Sequence, residues 1–306
     1  MKYLLWVVCL LMVVSAQAQQ RYFYGRITDD AGKAIPFAIV QVKDQNQGVY
    51  SNEQGIFSFQ ADLALQRTLI FFSLGYEKQE LSAATLPKDS IIIRLVQKDF
   101  SLQAVTFVDK ERRLAATLGR KNVSHTGDSY GKYGSEHAIF LQPIIPVRHA
   151  LLKDIYVYIT NEGIPSTRFR VHVYKADPET GMPGPDITDS NMIVHAENGN
   201  EWVHIDVSHK RIPVKRSGIF VSVEWVSGNG NVMKNMQSAK NPDVTLYNGQ
   251  VLGLTDQYGP QSLAYARHVL LNDEWIQFPC PDYITPFSKC LNPMIYCTYS
   301  YLQPTD

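Results

Sequence analysis

Hydrophobic and polar positions alternate with a period of two along most of this chain. Ala38, Val40 and Val42 alternate with Ile39, Gln41 and Lys43. Ile155, Val157 and Ile159 face one way and Tyr156 and Tyr158 the other. Phe169, Val171 and Val173 oppose Arg170, His172 and Tyr174, and Val203, Ile205 and Val207 oppose Trp202, His204 and Asp206. Ile219, Val221 and Val223 oppose Phe220, Ser222 and Glu224, and Trp225 shares the parity of the valines. Period two is the mark of a strand with one buried face, because successive side chains leave opposite sides of the pleat. Residues 69–74, interrupted by Ser73, and 91–93 are apolar runs, as central strands are. No stretch sustains a helical period. Short strands separated by Gly, Pro, Asn and Asp predict an all-β chain of two sandwiches.

The ends and the joint are of different material. Lys2, the apolar run at residues 4–14 and Ala16-Gln17-Ala18 form an export signal, with cleavage expected after Ala18. The run is shorter than the roughly 20 residues that span a bilayer, and no later segment is long and apolar enough to cross one. Residues 19–108 make a first sandwich. Residues 109–123 follow as a linker, with the charge run Lys110-Glu111-Arg112-Arg113 and one or two helical turns over residues 114–118. Residues 124–306 make a larger sandwich of jelly-roll type, closed by a final pair of strands around Trp275 and over residues 294–301.

The first sandwich carries a spaced set of residues: Gly25, Asp29, Gly32, Pro36, the strand at residues 38–42, Asn52, Gly55-Ile56-Phe57 and Ser73-Leu74-Gly75-Tyr76. With the tail Leu102-Gln103-Ala104-Val105-Thr106, this set resembles the carboxypeptidase regulatory-like domain. The resemblance implies a transthyretin-like or Ig-like sandwich. Such domains occur beside metallocarboxypeptidases and at the N-termini of TonB-dependent outer-membrane receptors. Neither companion is expected here. No His has a Glu three positions later, as the zinc site of such a carboxypeptidase needs. The roughly 200 remaining residues are too few for the large receptor barrel and its plug. The second region is similar to galactose-binding-like and carbohydrate-binding sandwiches in architecture only, and fold does not give function.

Charge and composition narrow the partners. Lys plus Arg number 29 and Asp plus Glu 29, so no charge excess favours nucleic acid. After signal removal three cysteines remain. Cys280 and Cys290 flank a Pro-containing loop and suit a local disulfide in an oxidising compartment, and Cys297 reads as a buried thiol. No metal site or cofactor is expected.

Three constellations could carry chemistry. Gly127-Asp128-Ser129 with Asp206-Val207-Ser208-His209 matches the spacing of the GDSL-type serine hydrolases, with Ser129 as nucleophile and His209 as base. The block follows a polar stretch in an all-strand chain, which fits a loop better than that fold. Asp177, Glu179 and Asp186 could offer oxygens to Ca²⁺, though the Pro and Gly between them read as a rigid hairpin loop. Trp202, His204 and Asp206 share one strand face, where an aromatic ring beside polar groups suits a sugar. His172 and His204 fall on polar faces without evident paired ligands. The expected function is an exported, non-catalytic envelope protein that binds an envelope protein or a glycan.

Overall fold

A computed structural model describes residues 20–62, 67–87, 89–98, 113–145, 148–226, 236–238, 241–246, 249–280 and 289–302. The export segment with Ala18, and residues 109–112 of the expected linker, lie outside these. Apart from a 3-10 turn at Ser208–Lys210, the described secondary structure is β-strand. No helix among the described residues is long and apolar enough to cross a membrane. The chain divides into two compact units, Met1–Phe72 with Glu77–Val96 and Ser73–Tyr76 with Gln97–Asp306.

The first unit contains β1 (Gln20–Thr28), β2 (Ile39–Val42), β3 (Gly48–Tyr50), β4 (Ile56–Asp62), β5 (Thr68–Phe72), β6 (Gln79–Ser82) and β7 (Ile91–Arg94). They form two sheets, ordered β4-β1-β7 and β3-β2-β5-β6. Phe23, Ile27, Phe57, Ile91 and Ile93 of the first sheet and Val40, Val42, Leu69 and Phe71 of the second are buried. The rings of Phe57 and Phe71 meet across the gap at 5.8 Å. Two glycines have a geometric reason. Gly25 lies between β4 and β7, where a Cβ would stand 2.2 Å from the Ile91 carbonyl oxygen. Gly55 sits at φ +72°, and its Cβ would stand 2.4 Å from the Ile27 carbonyl oxygen. Asn52 prepares that turn, its Oδ1 accepting the amides of Gln54 and Ile56 at 2.9 Å each.

The second unit contains β8 (Arg113–Leu118), β9 (Gly127–Tyr130), β10 (Ser135–Leu141), β11 (Arg148–Gly163), β12 (Phe169–Ala176), β13 (Pro183–Asp186), β14 (Met192–Val194) and β15 (Glu201–Asp206). It continues with β16 (Ile219–Glu224), β17 (Met236–Ser238), β18 (Asn241–Leu246), β19 (Gln250–Thr255), β20 (Ala264–His268), β21 (Asn272–Gln277), β22 (Asn292–Pro293) and β23 (Ile295–Leu302). One seven-stranded sheet runs β13-β12-β16-β10-β20-β21, with β14 on β12. The other runs β22-β19-β11-β23-β8, with β15 on β11 and β9 on β19. They are called here the β16 sheet and the β11 sheet. Ile139, Val171, Val173, Val221 and Val223 of the first pack in one core with Ile155, Val157, Ile159, Ile295 and Tyr299 of the second. Each such aliphatic side chain contributes about 1.5–3 kcal/mol by leaving water.

Two expectations are corrected. Residues 114–118 are not helical: Arg113–Leu118 pairs antiparallel with β23, Leu118 opposite Cys297 and Leu114 opposite Tyr301. Leu114, Ala116 and Leu118 face the core. So short an apolar run suits either period, and the free edge of β23 decided it. The strands around Trp275 and over residues 294–301 do not pair with each other, since β21 ends the β16 sheet and β23 lies within the β11 sheet.

The outer face of the β16 sheet holds a row of buried charge. Register places Arg170, Glu224, Glu136 and Arg267 side by side on β12, β16, β10 and β20. Glu136 is 0% exposed, Glu224 1% and Arg170 3%. Two carboxylates directly opposite would repel. The guanidinium groups at either end neutralise them, Arg170 Nη1 donating to Glu224 Oε2 at 2.9 Å and Arg267 Nε to Glu136 Oε2 at 2.7 Å. Tyr174 and Ser222 hydroxyls also donate to Glu136 Oε1. His172, expected to lack partners, lies between Asp186 (2.7 Å) and Glu224 (2.9 Å). Burial alone would lower its pKa, but Glu136, Asp186 and Glu224 outweigh that and raise it to about 10.

Removing one member of this row leaves its partners charged and dry. Glu136→Ala is expected to cost about 3–5 kcal/mol in urea denaturation; a loss within error of zero would show that the row is solvated. His172 contributes through its charged form. Its stabilisation is complete below the unfolded value of about 6.5 and is lost as pH rises through about 10. The difference in stability between wild type and His172→Gln should therefore shrink from pH 6 to pH 10. A difference that grows over that range would contradict the assignment.

Candidate functional site

The outer face of the β11 sheet is aromatic. Because Ile155, Val157 and Ile159 enter the core, Asp154, Tyr156 and Tyr158 must point outward. The same parity turns Trp202 and His204 of β15, and Tyr296 and Thr298 of β23, to that face. Register aligns His204, Tyr156 and Tyr296 across three strands. Their rings stack as a ladder: Tyr156 lies 4.5 Å from Tyr296 at 7°, and 4.8 Å from His204 at 21°. These separations match the spacing of neighbouring strands, so the rings stand upright and face one another. Trp202, opposite Tyr158, meets it edge-on at 5.3 Å and reaches across β11 to Tyr296 at 4.9 Å and 73°.

Asp154 fixes one end of the ladder. Its Oδ1 lies 2.8 Å from His204 Nε2 and its Oδ2 accepts from Thr298 Oγ1 at 2.5 Å. Tyr296 is buried beneath the stack, whereas the His204 side chain keeps 51% of its surface in water. Of the three residues singled out in the sequence, Trp202 and His204 belong to this cluster. Asp206 serves elsewhere: its carboxylate accepts the Ser208 amide at 2.8 Å and starts the turn after β15. Hydrogen bonds from the Ser208 side chain and from that amide hold its pKa below the usual carboxylate range. Tyr156 and Tyr158 could be placed on the face from parity, but Tyr296 and Thr298 could not, because nothing local sets the pairing of β23 with β11.

The hydrolase constellation is not assembled. Ile159 pairs with Glu201 of β15 and with Leu252 of β19 at once, so these strands flank β11 on opposite edges. Ser129 lies beyond β19, opposite Leu252. His209 follows Asp206, which is level with Asp154, five positions or about 17 Å down β11 from Ile159. Ser129 instead bonds His137 Nδ1 at 2.7 Å, joining the two sheets. The His137 ring is held edge-on by Trp225 at 4.7 Å and Phe278 at 5.2 Å. Burial lowers its pKa to about 4, so it is neutral at neutral pH.

The acidic loop at residues 177–186 is committed to its own backbone. Asp177 Oδ1 accepts the amides of Glu179 and Thr180 at 2.9 Å, and Asp186 is bound to His172 and Thr188. The segment closes the hairpin of β12 and β13. Among the described residues no group of three or more His, Cys, Asp or Glu is placed to hold a metal ion. Cys280 and Cys290 are joined in a disulfide, and Cys297 is a free, buried thiol that burial keeps protonated.

Comparison with known proteins bears on the first unit. The family model for the CarboxypepD_reg-like domain matches residues 23–107. Residues 23–107 form such a domain. Gly25 and the Asn52–Gly55 turn of this regulatory-like domain are among the positions whose geometry is described above. No curated protein matches the chain. Among solved structures, the chain is similar to a clostridial cysteine protease after propeptide cleavage at TM-score 0.38 and 10% identity, over 94% of this chain and 73% of that one. It is similar to a DUF3823 family protein from Parabacteroides merdae at TM-score 0.20 and 13% identity, over 63% and 84%. A structure described as carbohydrate-binding modules from the β-sandwich superfamily gives TM-score 0.19 and 9% identity, over 70% and 94%. At these scores the likenesses bear on neither ligand nor activity.

Ser129 in this setting is a structural hydroxyl. Ser129→Ala is expected to lower stability by about 1 kcal/mol through the lost bond to His137, read by denaturation, and to change no esterase activity. A hydrolytic activity of the wild type that vanishes in this variant would overturn the assignment.

Proposed function

We propose that the protein is an exported, non-catalytic binding module of the cell envelope, at the periplasm, the outer membrane or the cell surface. Its partner engages the aromatic face of the β11 sheet. The observation that carries this reading is the cluster of Tyr156, Tyr158, Trp202, His204 and Tyr296 on a sheet face turned away from the core. Aromatic side chains with polar tips are the residues on which binding energy concentrates, because they bury much apolar area at little entropic cost. The Lys2 and Ala18 export signal and the Cys280–Cys290 disulfide support an oxidising compartment outside the cytoplasm. The regulatory-like domain supports an accessory role.

A protein partner is the first reading, since the ladder consumes both faces of Tyr156 in stacking on Tyr296 and His204, and Tyr296 is buried. A glycan is the second. It is favoured by Trp202, which stands crosswise to the ladder, two positions before His204 on the same strand face.

Trp202→Ala decides whether this face binds. Retention of partners from native envelopes should fall about tenfold or more, the loss of one central aromatic anchor, with the thermal midpoint little changed. Loss of a captured protein supports the first reading, and loss of a glycan-array signal the second. Unchanged retention in the variant would remove the β11 face from consideration.

A further inference from the structure

One edge of the β11 sheet is open. β15 pairs with β11 along one side, and among the described residues no strand lies along its other side. The Val207 amide donates to the Lys153 carbonyl at 2.9 Å. Bonded and non-bonded residues alternate along an antiparallel pair, so Glu201, Val203 and Ile205 turn their backbone groups toward β11. Trp202, His204 and Asp206 turn theirs away from it. The amides and carbonyls of these residues have no hydrogen-bond partner among the described residues.

Open sheet edges are ordinarily guarded by proline, charge or a bulge. β13, at one end of the β16 sheet, carries Pro183 and Pro185. β21, at the other end, has a register shift against β20 and carries Glu274. β15 has neither proline nor register shift. Its carboxylates, Glu201 and Asp206, stand at its two ends and are spent on the amides of residues 197–199 and of Ser208. Between them Trp202-Val203-His204-Ile205 is an unguarded strand.

The aromatic ladder ends at the same edge. Tyr156 of β11 takes one face of the His204 ring at 4.8 Å, and Asp154 holds the ring through Nε2. The other face of the ring is therefore turned away from β11, and the side chain is 51% exposed. An extended backbone that also carries a ring in this row would satisfy both the strand and the ladder, and β15 is itself such a strand.

We propose that β15 pairs antiparallel with β15 of a second copy of this chain, about a twofold axis through His204. Trp202 then stands opposite Asp206 of the second copy, and Val203 beside its Ile205. This register pairs the open amides and carbonyls of all three residues in both strands. Moving the axis to Ile205 would set Trp202 against Ser208, whose amide is already given to Asp206. Moving it to Val203 would set Glu201 against Ile205. With the axis at His204 the two β11 sheets become one, and the ladder of Tyr296, Tyr156 and His204 runs on through the same rings of the second copy. The pairing is isologous and closes on itself. It uses the edge of β15 and does not rest on the envelope partner proposed above.

Sedimentation of the full chain should pass from monomer to dimer with rising concentration. His204→Lys keeps a partner for Asp154 but sets two like charges face to face on the axis, and should weaken the dimer about tenfold or more with the thermal midpoint little changed. Register is read by cross-linking. His204→Cys should give a disulfide-linked dimer on mild oxidation, because Cα atoms about 5.5 Å apart on the axis are within disulfide reach. Trp202→Cys, with its two copies roughly 14 Å apart along the paired strands, should not. A chain that stays monomeric up to its solubility limit, as it would if the edge served a strand of another protein, would overturn the proposal. So would a His204→Cys chain that does not cross-link, equal cross-linking at both positions, or a dimer that His204→Lys leaves as tight as before.

Discussion

Burial of one face of every strand between two sheets decides where all the remaining side chains can go. Ile155, Val157 and Ile159 pack against Val171, Val173 and Val221, and the pleat then forces Asp154, Tyr156 and Tyr158 to the opposite side. The same constraint on β10, β12 and β16 forces Glu136, Arg170, His172 and Glu224 outward. A shift of one residue in any of these strands would exchange its core face for its charged or aromatic one. The core therefore sets the register that both outer faces require.

The two outer faces meet that requirement differently. On the β11 sheet, rings 4.5–4.8 Å apart fill the spacing between strands, with Tyr296 buried at one end and His204 in water at the other. On the β16 sheet, carboxylates and guanidinium groups lie in one row and are dry. Buried ions of this kind add little net stability over an apolar row, because desolvation consumes most of their attraction. What they add is intolerance of misalignment, since a slipped strand would set Glu136 against Glu224 without Arg267 or Arg170 beside them. The aromatic face is suited to contact with a partner; the ionic row is suited to holding the sheet in register.

The regulatory-like domain and Ser129 show how differently short motifs travel from sequence to structure. Gly25, Asn52 and Gly55 answer local needs, a close backbone approach and a turn with positive φ, so their spacing identifies the domain without its tertiary contacts. Ser129 and His209 answer to no local need. Their spacing matches a hydrolase pattern, yet β15 and β19 lie on opposite edges of β11 and keep them apart. His137, eight positions from Ser129, is the partner, and no motif pointed to it.

The sequence by itself determined the strands, the face each would bury, the all-β class, the regulatory-like domain and the outward placement of Trp202 and His204. These follow from period two and turn chemistry, which act over a few residues. It left open that β8 would be a strand, that β21 and β23 would join different sheets, and that His172 would lie between two carboxylates. Asp154 and Thr298 are 144 positions apart and share a hydrogen bond. Only the tertiary structure decided such pairs, because strand register across long loops is set by the packed core as a whole and leaves no periodic trace in either strand.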